Sequence, residues 1–300
     1  MKQAAAVALA LLAAGCIRSA PPPSQPSARY TLGEPYALGG VWSYPREDFS
    51  LDDSGIAAVL PRSGRGRPTA NGEIFDPDRL VGAHRTLQLP AIVAVWNLEN
   101  GREIRIRVND RGPVQPGRIL GLSPRAAQLL DIPPGGAAQI RIRVETAPSQ
   151  ALARALPSPD RPGMALAPVP RAAVETEALA PLPGAREATR IRRAPSGRVA
   201  ETIADSAPVL PPDPLPESLT QQYSRPGRLL VEAGNFFRRD LAQRQAAQLG
   251  GLGARVEPFG NGRQPQFRVR LGPYADLAAA DRAVAGVLAA GLPEARLLVE

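Results

Sequence analysis

Between residues 147 and 224 the chain carries fourteen of its thirty-four prolines and no aromatic residue before Tyr223, with Ala, Arg, Ser and Glu filling most of the rest. A stretch of that composition cannot bury enough apolar surface to offset its ordering entropy, so a disordered linker is expected. As a flexible coil its ends would lie about 50 Å apart, and proline would extend it further. Folding must therefore take place on either side, in residues 36–146 and 225–300, each long enough for one small domain.

The N-terminus reads as a targeting segment. Lys2 is followed by a run of Ala, Val and Leu up to Gly15, too short to span a bilayer as a helix. Small residues precede the single cysteine, Cys16, as at a secretory cleavage site, so residues 1–15 are set aside as a signal peptide. The string Leu11-Leu12-Ala13-Ala14-Gly15-Cys16 is similar to the lipobox of bacterial lipoproteins, in which the cysteine becomes the acylated N-terminus. An ordinary signal peptide that contains a cysteine is the plainer alternative. The resemblance implies lipidation at Cys16 and, because Ile17 and not Asp follows, an outer-membrane lipoprotein facing the periplasm. Residues 16–35, with Pro21-Pro22-Pro23, would then be anchor and tether.

Charge removes several kinds of chemistry. The net +8 is almost wholly arginine, since Lys2 is the sole lysine. A P-loop lacks its lysine, no Schiff-base lysine survives in the mature chain, and one histidine without a free cysteine builds no ordinary zinc site. No metal and no cofactor are expected. The excess is spread as +2 over residues 1–35, +2 over 36–146, zero over 147–224 and +4 over 225–300. That gives no basic stripe along which a phosphate backbone would run, so nucleic acid is not the expected partner. An anionic wall polymer suits the mild excess better.

Residues 36–146 are turn-rich with short strands. In residues 101–108 apolar side chains fall at every second position with arginine between, as in a strand burying one face, and Ile140-Arg141-Ile142-Arg143-Val144 repeats the pattern. Residues 91–96 read as a more fully buried strand, and Asn100-Gly101 as the turn that follows. A helix starts after Ser123 as N-cap with Pro124 in its first position. The region is expected to be a small β-rich barrel with one or two helices. Residues 225–300 change rhythm: strands at 229–232, 254–257, 267–271 and 295–299 and helices at 240–249 and 276–289 give the order βαββαβ of a ferredoxin-like sandwich.

Two carboxylates in the barrel region are candidates for acid/base work. Glu73 lies in Asn71-Gly72-Glu73-Ile74 and Asp110 in Asn109-Asp110-Arg111-Gly112-Pro113, each where the chain meets glycine or proline. Glycan cleavage needs a proton donor at the glycosidic oxygen and a group that stabilises an oxocarbenium-like transition state, and two carboxylates in one groove supply both. His84 is placed to orient a carboxylate or the substrate. Each also has a bland reading: Asn-Gly-Glu and Asp-Arg-Gly-Pro are ordinary turn chemistry, and a lone histidine is commonly structural. Spacing alone leaves the function open.

Taken together, Gly66-Arg67-Pro68-Thr69-Ala70-Asn71-Gly72-Glu73-Ile74-Phe75-Asp76, Ala83-His84-Arg85-Thr86-Leu87, Asn97-Leu98-Glu99-Asn100-Gly101-Arg102 and Val108-Asn109-Asp110-Arg111-Gly112-Pro113 closely resemble, in order and spacing, the rare lipoprotein A family of the bacterial envelope. The resemblance covers residues 53–146 and implies a six-stranded double-psi β-barrel. Family members include septal lytic transglycosylases, which cut the MurNAc–GlcNAc linkage without water and leave a 1,6-anhydro end. It further implies that Glu73 and Asp110 are the catalytic carboxylates with His84 beside them, and that Asn71 and Arg111 contact substrate. Asp110 is read as general acid/base with Glu73 as partner; the exchanged roles stay open. Two departures stand out: Ala58-Val59-Leu60-Pro61-Arg62-Ser63-Gly64-Arg65 replaces an aromatic stretch, and Gly121 replaces an Asp. Lost stacking surface weakens sugar binding.

Residues 225–300 resemble the SPOR domain, through Leu230-Val231-Glu232-Ala233-Gly234-Asn235-Phe236 and Phe267-Arg268-Val269-Arg270-Leu271-Gly272-Pro273-Tyr274, with Glu232 where Gln is usual. The likeness implies binding of denuded septal glycans across the sheet, with Phe267 and Arg268 as contacts. The expectation is thus a monomeric, lipid-anchored lytic transglycosylase enriched at the septum. A catalytically silent glycan-binding lipoprotein is the alternative.

Overall fold

The computed structural model describes residues 27–160, 213–260, 265–293 and 295–300. The signal peptide, Cys16 and residues 161–212 of the expected linker lie outside them. In chain order the elements are β1 (Tyr36–Leu38), β2 (Val41–Ser43), β3 (Asp52–Val59), β4 (Val81–His84), β5 (Ala91–Asn97), β6 (Arg102–Asp110), β7 (Arg118–Leu122), α1 (Pro124–Leu129), β8 (Ala137–Val144) and α2 (Thr146–Ala155). There follow β9 (Leu219–Gln221), β10 (Leu229–Phe236), α3 (Arg239–Gln248), β11 (Arg255–Phe259), β12 (Gln266–Tyr274), α4 (Leu277–Ala289) and β13 (Arg296–Val299).

Six strands close on themselves in the cyclic order β3-β7-β4-β6-β5-β8. The β3–β7 and β4–β6 pairs are parallel and the other four antiparallel, so the expected double-psi barrel is what the chain forms. Alternation sets the inside and outside. Ile104, Ile106 and Val108 of β6 and Ile140, Ile142 and Val144 of β8 fill the barrel, while the arginines between them face out. Strand β5 is buried on both faces because α2 covers its outer side: Ser149 Oγ accepts from Ile92 N (2.9 Å) and donates to Ile92 O (3.2 Å). Helix α1 starts as expected, with Ser123 Oγ accepting from Ala126 N (3.2 Å) and Pro124 in its first turn.

The C-terminal unit has the βαββαβ order, with antiparallel strands in the order β11-β12-β10-β13 and α3 and α4 over one face. Leu229, Val231 and Ala233 of β10, Val269 and Leu271 of β12 and Leu297 of β13 pack against that helical side.

Three expectations about the connections need correction. Of the linker, residues 147–160 and 213–224 are ordered: α2 packs on β5, and β9 pairs antiparallel with the start of β6. Residues 27–35, read as tether, are part of the barrel unit: Tyr30 is 1% exposed, and Thr31 and Leu89 exchange backbone hydrogen bonds. Nor do the two units stand apart. Edge strand β13 pairs with β3 at Leu298 and Gly55, Arg118 grips Asp281 through two hydrogen bonds (2.6 and 2.8 Å), and Ile56 and Leu98 of the barrel unit join the C-terminal hydrophobic cluster. Gly55 permits this approach, since a Cβ there would lie 2.9 Å from Leu297 O and 2.7 Å from Ile119 Cγ2. Among the described residues no helix is long and apolar enough to cross a membrane.

Candidate active site

Residues 66–75 form a tight hairpin-like turn, closed by backbone bonds between Gly66 and Phe75 and between Thr69 and Glu73. Its apex demands glycine: Gly72 has φ +85°, and a Cβ there would sit 2.4 Å from Ser27 O. Asn71 is the hub. Its Oδ1 accepts from Thr69 Oγ1 (2.8 Å) and Glu73 N (3.2 Å), and its Nδ2 donates to Glu73 Oε1 (2.8 Å). Asn71, expected to contact substrate, is wholly buried with both ends of its amide bonded inside the turn, which it shapes.

Glu73 is buried against β6. Arg107 Nε donates to Oε1 (2.9 Å) and Oε2 (3.2 Å), Arg107 Nη2 donates to Oε1, and Asn109 Nδ2 donates to Oε2 (2.8 Å). Every neighbour is a donor, which fits a carboxylate held as a fixed acceptor. One side of it borders a cavity of about 220 Å³ lined also by Arg79, Arg107, Asn109, Ala28 and Asp213–Leu215. Asn109 is 1% exposed, and its Oδ1 has no hydrogen-bond partner.

Asp110 follows Asn109 at the end of β6, where the pairing with β4 shifts register: Gly82 faces Val108 and Ala83 faces Asp110, with Asn109 as the extra residue between. Its Oδ1 accepts from Ala70 N (3.0 Å) and Arg111 N (2.8 Å), and its Oδ2 accepts from Arg67, whose side chain is 47% exposed. Arg67 also stacks over Phe75, 5.3 Å from the ring centre. The two carboxylates meet the same turn, Glu73 from within it and Asp110 through Ala70 N from the end of β6. Glu73 lines the cavity and Asp110 does not.

His84 and Arg111 turn out to be staples. His84 Nδ1 accepts from Thr86 N (3.2 Å) and Leu87 N (3.1 Å), which leaves the ring proton on Nε2. Burial first, and then the charges of Arg111, Arg46 and Arg85, push its pKa down to about 3, so it is neutral at physiological pH. Arg111 was expected to bind substrate, but its guanidinium donates to the carbonyls of His84, Leu87 and Leu32 and ties three segments together. Arg111 also gives its backbone N–H to Asp110 Oδ1, and Ala83, the residue before His84, is the register partner of Asp110 on β4.

On β12 the expected pair separates. Phe267 falls on the helical side with Val269 and Leu271 and packs into the core, so it is no contact on the open face. Arg268 lies on the other face, 5.0 Å from the Phe259 ring centre and 3.8 Å from Glu257 and Glu300. Sequence reasoning missed the ladder around it: Arg270 bonds Glu300 and Glu257 (3.2 Å to the latter), and Glu232 accepts from Arg296 Nε (2.9 Å) and Asn235 Nδ2 (3.0 Å). It also missed Arg107 and Asn109. Their signal was present in the outward positions of β6, two and four residues from Arg105.

A closed six-stranded double-psi barrel with a buried, arginine-held carboxylate beside a cavity is joined to a βαββαβ sandwich. The family descriptions that match are "Lytic transglycolase" over residues 53–142 and "SPOR domain" over residues 226–295, which makes this a lytic transglycosylase carrying a SPOR domain. The chain belongs to the rare lipoprotein A (RlpA) family. It is 34% identical over 263 residues to the endolytic peptidoglycan transglycosylase RlpA of Yersinia pestis, covering 73% of this chain and 71% of that protein. The RlpA of Pseudomonas aeruginosa is 30% identical over 246 residues, covering 80% and 68%, and that of Vibrio cholerae 38% identical over 122 residues, covering 38% and 46%. The solved SPOR domain of P. aeruginosa RlpA is matched over 99% of its length and 24% of this chain, at 25% identity and a TM-score of 0.23.

Proposed function

We propose that this protein cuts the MurNAc–GlcNAc β-1,4 bond inside peptide-poor glycan strands and leaves a 1,6-anhydroMurNAc end. The observation that carries the reading is Glu73: a buried carboxylate, fixed by Arg107 and two amides, at the wall of a cavity. Its surrounding donors keep it an acceptor, suited to stabilising positive charge growing at the anomeric carbon. Asp110 is the general acid/base: displacement of half-exposed Arg67 from its Oδ2 by substrate would free that oxygen to take up the proton it then delivers. In the reaction Asp110 gives its proton to the glycosidic oxygen as the C1–O bond breaks. It then takes the proton of the MurNAc C6 hydroxyl as O6 bonds to C1, so no water is consumed.

Digestion of purified sacculi tests this. Mass spectrometry should find 1,6-anhydro muropeptides, and Asp110→Asn and Glu73→Gln should each lower their release at least a hundredfold. Reducing ends in their place would mean hydrolysis, and no release from the unaltered chain would leave a glycan-binding role.

The proposal extends to place. Acylation at Cys16 would hold the chain as a monomer on the outer membrane facing the periplasm, and the SPOR sheet would direct it to denuded glycans at the septum; the lipobox-like string and the SPOR match support this. The mass of the mature N-terminus checks the anchor: it should exceed that of the polypeptide by the acyl groups, and Cys16→Ser should abolish the difference.

A further inference from the structure

We infer that residues 213–222 form a strap that walls in the Glu73 cavity and must swing aside before a glycan can enter, an inference that rests on reading the cavity as the cutting site. At about 220 Å³ the cavity is smaller than the roughly 300–1,000 Å³ of ordinary ligand pockets. Cutting a polymer away from its ends also demands a groove open on both sides. Here one wall is Asp213, Pro214 and Leu215, which are remote in sequence from Glu73, Arg107 and Asn109.

The cavity is nevertheless suited to a polar ligand: Glu73, Arg79, Arg107 and Asn109 line it beside Leu80 and Val81, a mixture of hydrogen-bonding and apolar groups that matches a sugar ring.

The strap is held lightly along its length and firmly at one end. Strand β9 pairs with just three residues of β6, Arg102–Ile104, and the side chains from Pro216 to Ser224 are all exposed, Leu219 by 49%. Its further ties are the exposed Arg125–Glu217 pair, Gln221 Nε2 on Asn100 O (2.8 Å), Gln222 N on Gly101 O and Gln222 Nε2 on Glu103 Oε2 (2.8 Å). A segment that buries so little opens readily. Past it the chain is pinned: Ser224 Oγ donates to Glu99 O (2.8 Å), Arg225 N to Leu98 O (2.7 Å) and Gly227 N to Gln139 Oε1 (2.8 Å). The strap therefore pivots at residues 224–227, next to the first strand of the SPOR domain.

Hydrogen–deuterium exchange on the full chain, with and without saturating purified glycan strands, tests the movement without relying on turnover. Amides of residues 219–222 should exchange at least tenfold faster with glycan; unchanged or slower exchange overturns the inference. A second arm locks the strap in a Cys16→Ser background with Arg102→Cys and Gln221→Cys. These are register partners one position from the Gln222–Gly101 bond, where facing Cα atoms of an antiparallel pair come within about 4.5 Å, a span a disulfide bridges. The oxidised protein should release muropeptides from sacculi at least fivefold more slowly than the same protein reduced, and equal, measurable rates overturn the gate. If neither form cuts while glycan still speeds exchange, the cutting function falls and the strap stands.

Discussion

Glu73 and Arg107 bury opposite charges with side chains 9% and 8% exposed, so removing one strands the other. Arg107→Met should destabilise the protein by about 3–5 kcal/mol, read as a lower urea midpoint. Arg107→Lys should recover part of this, because an ammonium cannot reproduce the two-pronged grip on the carboxylate. His84 carries a pH prediction. Its folded pKa, about 3, lies below the 6.5 of an unburied histidine, so between these values the unfolded chain binds the extra proton and acid favours unfolding. Stability from this residue is fully present above pH 6.5 and falls by up to about 1.4 kcal/mol per unit as pH drops through the window. Urea midpoints at pH 7 and 5 should differ more in the unaltered chain than in His84→Gln.

At the level of elements, much was legible and the failures have a common cause. Strands β6 and β8 and helix α1 follow from alternation and from Ser123-Pro124, which act locally. Ser123→Ala should cost about 1 kcal/mol in thermal or urea unfolding, the usual worth of such a cap. Helix α2 was hidden by the proline-rich composition around it, although Pro148 sits in its first turn where proline is tolerated, and Ser149 and Ala153 share the buried face at helical spacing. Strand β9 gave no sign, because Leu219-Thr220-Gln221 is a strand only through its pairing with β6. The site shows the same division. Glu73 and Asp110 were marked by their motifs, but whether Asn71 and Arg111 face substrate or satisfy carbonyls and carboxylates inside depends on segments far away in sequence.

On the scale of the whole molecule, the domain interface couples two units that composition had set apart. With Ile56 and Leu98 in a shared cluster and Arg118 on Asp281, barrel and sandwich should unfold in one calorimetric transition. Gly55→Val puts side-chain atoms where Leu297 O and Ile119 now lie and should part them into two transitions. The β13–β3 junction has one more effect. A closed barrel offers no lateral rim, and β13 spends part of its free side on the barrel, so the long sheet is left with its main unpaired border at β11. Pro258 stands in that strand and has no amide hydrogen to offer, and Arg255 and Glu257 add charge beside it. Such a border resists stitching onto a neighbouring molecule, so the sheet is guarded against edge-to-edge clumping.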